Sequence, residues 1–341
     1  MPDIVIAFFA LGLCAGLVKS DLKLPSPTYD TLAILLMLVL GLKGGMALHG
    51  HVTGAIVGEL LVVAALGVAL PLLCYPVLRR LVRLDRPNAL SIAAHYGSVS
   101  AGTFAVALAL AEHEGLAVSP QTTLYLVMLE LPAIVVMLWL HHRRQGHHGS
   151  PGSGQDSGPG AAQRGSASGA PDGLQPDRPG SHGSMAIWRE AFTSRGVVLL
   201  GGGVLIGALY GPHGMAPIAP VMLGGFKAML AIFLLEMGLC TARVCRPLPL
   251  QHWRLMVFAA VAPFVLAWAG IAVATVLGLP PGTTLVLAAL TASASYIAAP
   301  AAIRAAIPQA DIGLAMLAAL GITFPVNVLL GLPLYRLWLG L

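Results

Sequence analysis

The sequence predicts an all-α integral membrane protein: ten transmembrane helices in a five-plus-five inverted repeat, with interrupted fourth and ninth helices. Three observations carry that expectation. The 341 residues are 57% hydrophobic and only 10% charged, and the mean hydropathy is +0.83. Long apolar runs lie on both sides of a segment rich in glycine, serine and proline. Small, polar stretches break the fourth and ninth of these runs at matching places.

Composition excludes most soluble classes. A soluble domain carries about 25% charged residues, far more than this chain has. Aromatics are only 6%, whereas there are 40 glycines. Small residues let helices approach closely in lipid, where packing rather than hydrophobicity associates them. The formal net charge of +5 reflects the sidedness of the basic residues, not a nucleic-acid partner. Cys14, Cys74, Cys240 and Cys245 have no CxxC spacing and lie in or beside apolar runs, so they read as small packing residues. No basic region precedes the first apolar run, which therefore reads as a membrane span rather than a cleaved signal.

The expected spans are 3–18, 28–42, 53–75, 88–110, 120–140, 194–210, 218–240, 254–277, 283–305 and 312–338. Most are close to the 17–25 residues that cross a bilayer. Pro25 and Pro27 break the chain before the second. Residues 1–142 form the first repeat and 188–341 the second. Residues 143–187 form a linker with almost no aliphatic side chains, too few to fold alone, so it is expected to be disordered.

Orientation follows from lysine and arginine. With the N-terminus outside, nearly all of them fall on inner loops and inner helix ends. These include Lys19, Lys23, Arg79, Arg80, Arg83, Arg86, Arg143, Arg144, Arg243, Arg246, Arg254 and Arg304. The exceptions are Lys43, Lys227 and Arg336. Both termini are then outside, the linker is cytoplasmic, and the membrane is the plasma membrane.

The two halves echo each other. ILLMLVLGL (34–42) resembles AIFLLEMGL (231–239), and LELPAIVV (129–136) resembles GITFPVNV (321–328). GSVSAG (97–102) aligns with ASASYI (292–297), which matches Ser98 to Ser293 and Ser100 to Ser295. An odd number of spans per half inverts the second half relative to the first. Inverted repeats with broken helices in corresponding places point to a transport site near the midplane. Gly97 and Gly102 loosen the fourth span, and Pro300 is expected to kink the ninth. Freed helix amides there suit an anion; freed carbonyls and hydroxyls suit a small hard cation.

The candidate residues each have a plainer explanation. Ser98, Ser100, Ser293 and Ser295 could bond back to their own helices, but their repetition in both halves favours a site. Thr103 and Thr291 flank the same stretches. Tyr96 and Tyr296 serve equally well as packing anchors, and His95 as a helix–helix hydrogen bond. Glu130 and Glu236 lie within spans, where a carboxylate marks function by default. Glu59 lies nearer water and reads as structural. Asn327, after Pro325, offers a carbonyl oxygen. Oxygen donors for a cation are thus Ser98, Thr103, Thr291, Ser293, Asn327 and Glu130. Enzyme motifs are missing: GGG at 201–203 lacks a dinucleotide-fold context, and no HExxH or GxSxG occurs. His95 and Ser98 have no third group to orient them as a nucleophile and base.

LGLKGG (40–45), AAHYGSVSAGTF (93–104), LELPAI (129–134), FKAMLAIFLLEMGL (226–239) and TASASYIAAPAAIRAAIP (291–308) resemble the SbtA-type sodium-dependent bicarbonate transporters of cyanobacteria. The resemblance spans nearly the whole chain outside the linker. It implies a ten-helix fold, a homotrimer in the bilayer, and symport of sodium with bicarbonate into the cell. It places the site where the fourth and ninth helices cross. The anion then lies against Tyr96, Gly97, Ser98, Val99, Ser100, Ala294, Ser295 and Tyr296, and sodium is the co-transported ion beside it. Family members bind a PII-like regulator on the cytoplasmic face. The long linker, with its His141-His142 and His147-His148 pairs, departs from a typical family loop. Rival expectations are transport of another small anion, such as an organic carboxylate, and a membrane receptor that signals through the linker.

The expected topology is open to a direct check. A cysteine introduced at position 115 should react with an impermeant reagent in intact cells, and one at position 160 should not. The opposite labelling would overturn the orientation.

Overall fold

The computed structural model describes residues 4–50, 53–145, 195–245 and 250–341. Residues 146–187 of the expected linker lie outside these, as does the start of the second repeat up to residue 194. The described residues are helical, with no strand among them.

Among the described residues the main helices are α1 Ile4–Leu17, α2 Ser26–Leu48, α3 Gly54–Arg80, α4 Arg86–Gly97, α5 Ala101–His113, α6 Leu124–Gln145, α7 Arg195–Met215, α8 Phe226–Val244, α9 Trp253–Val276, α10 Pro281–Thr291, α11 Ala298–Ala306 and α12 Ile312–Trp338. Among the described residues, eight stretches are long and apolar enough to cross a membrane. The protein is therefore a multi-pass membrane protein. Shorter apolar helices among the same residues are α1, with 14 residues, and α10, which is the first piece of a broken segment.

Two groups of helices emerge from the packing. In one, α2 lies along α7 and α1 along α8. In the other, α3 packs on α4 and α6, while α9 packs on α10 and α12. The first group depends on glycine. A Cβ at Gly41 or Gly45 would collide with the backbone of α7, and one at Gly203 or Gly207 with that of α2. Gly12 and Gly238 do the same for α1 and α8. Without side chains at the seam, backbones touch and dispersion replaces the missing hydrophobic drive.

The second group encloses the broken helices. Residues 86–113 are almost wholly buried, unlike any other span. The chain leaves helical geometry at 98–100 and again at 292–297. This places the second break earlier than the expected kink at Pro300. Pro300 instead stands in the first turn of α11, where a missing N–H costs no intrahelical bond. Pro325 has the larger effect: α12 widens into π-helical turns at 317–323 and 327–331 on either side of it, as a removed donor allows.

Contacts between distant segments join like ends. At the end holding the α5–α6 loop, Gly282 N donates to Ala117 O at 2.9 Å, Ser119 N to Thr283 Oγ1 at 2.7 Å, and Arg336 pairs with Glu114 at 2.8 Å. Lys43 of α2 pairs with Glu112 of α5 at 2.5 Å, which ties the two helix groups together there. At the opposite end Asp311 N donates to Asn88 Oδ1 at 2.7 Å, and Arg86 to the carbonyl of Leu140 at 2.9 Å.

The GGG run separates seam from surface within three residues. Gly201 and Gly202 have nothing within 4 Å of a built Cβ, whereas Gly203 meets Leu38 O and Gly41 Cα. Gly203→Val should destabilise the purified protein by about 1–3 kcal/mol, the usual cost of overpacking. Gly201→Ala should leave its melting temperature unchanged. Equal effects in thermal unfolding would show that the α2–α7 seam is looser than its geometry.

Candidate functional site

A helix broken inside a buried core leaves backbone groups that need partners. Here each break supplies the other. Ser295 N donates to His95 O at 2.7 Å, and Ser100 N donates to Ser293 Oγ at 2.8 Å. Ser293 Oγ in turn donates to Leu290 O at 2.7 Å. The second half of each pair is capped by serine: Ser100 Oγ accepts from Thr103 N at 3.1 Å, and Ser295 Oγ accepts from Ala299 N at 3.2 Å. Both hydroxyls satisfy one first-turn amide and leave the positive ends of α5 and α11 directed at the crossing.

A cavity of about 10 Å³ opens between the breaks, lined by Val99, Ser100, Ala101, Ser295, Tyr296 and Ile297. Glu130 closes it from α6 and Met37 from α2. That volume holds one water-sized object. Oε1 of Glu130 has no hydrogen-bond partner among the described residues, and the residue is 4% exposed. Ser98 Oγ, Thr103 Oγ1 and Asn327 Oδ1 are likewise buried without partners. Gly102 is needed because Tyr296 Oη occupies the space a Cβ would fill.

The residues expected at the site divide into three sets. Val99, Ser100, Ser295, Tyr296 and Glu130 line one cavity. Gly97, Ser98, Thr103, Ser293 and Ala294 lie in or beside the breaks and are buried. At Gly97 a Cβ would strike Pro71 and Ala133, so close packing explains that glycine. The third set is engaged elsewhere. Tyr96 turns its hydroxyl to Thr323 Oγ1 at 2.5 Å and packs on Phe258, while Thr323 donates to Ala259 O at 2.8 Å. Thr291 donates to Ala288 O at 3.0 Å. Asn327 Nδ2 donates to Ala289 O at 3.0 Å.

The other weighed residues find ordinary partners. His95 Nδ1 sits 2.7 Å from Ser91 O. Arg243 pairs with Glu236 at 2.7 Å. Gln121 Nε2 donates to Glu59 at 2.9 Å, joined by the hydroxyl of Tyr125. Sequence reasoning missed Met37, Ala101 and Ile297 as lining and Thr323 as the anchor of Tyr96. Met37 lies in the ILLMLVLGL stretch and Thr323 in GITFP, both quoted for their repetition, but nothing local shows which face meets the crossing.

Two helices broken and cross-linked at their middles, with helix N-termini and a buried carboxylate around one small cavity, define a membrane transporter rather than an enzyme. A comparison with protein families makes the assignment specific. The model of the Na+-dependent bicarbonate transporter superfamily matches residues 4–339. The chain belongs to that superfamily. No curated protein matches it.

Ser98 and Ser293, matched in sequence, have different surroundings. Ser293→Ala strands the Ser100 amide, so it should cost about 1–3 kcal/mol of stability in the substrate-free protein. Ser98→Ala removes a hydroxyl with no protein partner and should cost under about 1 kcal/mol. Denaturation of both purified variants in detergent checks this. Equal losses would mean that the Ser100–Ser293 bond carries no special weight.

Proposed function

We propose that the protein is a sodium-coupled secondary active symporter that imports bicarbonate. The observation that carries this reading is the shared cavity: two serine-capped helix N-termini and one bare buried carboxylate face the same space. Amides at the starts of α5 and α11 suit an anion. Glu130, Ser98, Thr103 and the free oxygen of Asn327 suit sodium, a small hard cation that prefers oxygen ligands. Thr291 and Ser293 contribute less, because their hydroxyls already serve Ala288 and Leu290 carbonyls. An anion and a cation bound side by side neutralise each other, and neither alone escapes the several kcal/mol that a buried lone charge costs.

The ten-crossing, five-plus-five inverted arrangement belongs to the same proposal. Its support is the paired packing of α1 with α8 and α2 with α7, the matched breaks, and the grouping of contacts at like ends. On this arrangement both termini are outside and residues 143–187 are cytoplasmic. The homotrimer and the PII-like regulator follow from the family resemblance.

The mechanism needs movement. A cavity that holds one water-sized object cannot hold sodium with bicarbonate, so loading requires the breaks to draw away from Met37 of α2. The group carrying the crossing then shifts against the group of α1, α2, α7 and α8, and the site opens to each side in turn. Lys43–Glu112 spans the two groups and breaks during that shift. As a partly exposed pair it is worth about 0–1 kcal/mol, a modest latch.

Labelled bicarbonate uptake into proteoliposomes tests the proposal. An inward sodium gradient should drive saturable uptake, and replacing sodium by potassium or choline should abolish it. Ser98→Ala should weaken substrate binding by about 1–3 kcal/mol, since a desolvated ion loses a ligand. Uptake that is equal in sodium and choline would point instead to a uniporter or an exchanger.

A further inference from the structure

A second cavity, of about 430 Å³, lies at the end of the molecule where Asn88 meets Asp311. The α3–α4 loop and the start of α9 form most of its wall, the first contributing Arg83 and the second Arg254. Among the described residues neither arginine pairs with a carboxylate. Asp85 also lines the cavity, but its Oδ1 accepts from Asn88 Nδ2 at 2.6 Å. Asn88 Oδ1 in turn accepts from Asp311 N, and Arg79 donates to Leu84 O at 2.5 Å, so the loop is held in place. Arg83 has a φ of 66°, a left-handed conformation that is costly for a residue with a Cβ and free for glycine. The turn alone would be better served by one of the chain's 40 glycines.

The volume suits a small molecule or a headgroup rather than a single ion. Two guanidinium groups from separate elements suit phosphate, whose oxygens they bind in pairs. The surroundings indicate where the phosphate comes from. Trp253 lines the cavity, and with Val257, Val261, Val265 and Trp268 it forms an exposed apolar stripe at helical spacing along α9. On a membrane-spanning helix such a stripe meets acyl chains. The Arg254 guanidinium lies 5.4 Å from the centre of the Trp253 ring, a pairing of cation and aromatic suited to the level of the headgroups. The cavity thus stands at the head of an apolar track.

We infer that it binds an anionic phospholipid, with the phosphate held by Arg83 and Arg254 and an acyl chain along α9. Its lining comes from α3, α4, α9, α12 and the loops beside them, all in the group that encloses the crossing. The lipid therefore travels with that group. The site needs the membrane setting only and is independent of what is transported.

The test uses purified full-length protein, stripped of lipid in a neutral detergent, with native mass spectrometry and thermal unfolding as readouts. Phosphatidylglycerol should occupy one tight site per chain and raise the melting temperature. Phosphatidylcholine with the same acyl chains should do neither at the same concentration. Arg83→Gln and Arg254→Gln should each weaken phosphatidylglycerol binding about fivefold, the contribution of one basic residue towards an anionic lipid. The double variant should lose at least about tenfold. Arg304→Gln removes an exposed charge that does not line the cavity and should change nothing.

Equal binding of phosphatidylcholine overturns the inference, and so does an equal loss in Arg304→Gln, which would mean that surface charge in general attracts the lipid. Inorganic phosphate or glycerol phosphate that stabilises the protein as well as phosphatidylglycerol does overturns the lipid assignment and leaves a soluble phosphate compound as the occupant. Arg83 is exposed and Arg254 partly so, so the single variants decide the matter if the double variant does not fold. Wild type that retains no phosphatidylglycerol sinks the inference and leaves sodium-coupled uptake standing.

Discussion

The structure depends on how two interrupted helices satisfy each other. In lipid or in a packed interior, a backbone amide without a partner costs several kcal/mol. The breaks at 98–100 and 292–297 would be untenable alone. Side by side they exchange bonds, Ser295 N to His95 O and Ser100 N to Ser293 Oγ. The crossing therefore requires both halves of the chain to be in place. It also explains why residues 86–113 and 282–296, which carry the breaks, are almost wholly buried: irregular backbone is tolerated at membrane depth only when protein surrounds it.

That requirement shapes the remaining helices. The group around the crossing is closely packed and holds most of the buried polar groups, whereas the α1–α8 and α2–α7 pairs are joined mainly through glycine seams. Glycine contacts are flat and lack interlocking side chains. They let the paired helices behave as one unit without adding polar bonds to the crossing. Between the groups lie Met37 over the cavity, Lys43 on Glu112, the Thr241 hydroxyl of α8 donating to Leu320 O of α12 at 3.1 Å, and the edge-on ring pair of Phe9 and Phe324.

The site is asymmetric although the sequences that build it are alike. Ser98 and Ser293 occupy matched positions, yet one hydroxyl is free and the other bridges Ser100 and Leu290. Glu130 faces the cavity, while Thr323 anchors Tyr96. Similar stretches of sequence thus present different chemistry to one space, as the proposed pairing of an anion with a cation requires.

Much was legible in the sequence itself. Low charge and long apolar runs dictate a membrane protein, because no other solvent accepts that surface. Gly97, the serines and Gly102 within an apolar run mark the first break, since they weaken helix and supply hydroxyls together. The recurrence of serines near 293 and 295 marks the second. Other features came from the fold alone. Pro300 looked like the kink, but the chain had already broken at 292–297, where Ser293 and Ser295 find partners on the other half. Thr291 and Asn327 carry suitable oxygens, yet the nearest carbonyls claim the hydroxyl of one and the amide of the other. Hydrogen bonds between residues almost two hundred positions apart leave no local pattern. Composition and periodicity therefore determine what solvent each segment meets and where a helix weakens. Which polar atoms are spoken for, and which, like Glu130 Oε1 and Ser98 Oγ, are left without a protein partner, is decided only when distant segments compete for the same partners in space.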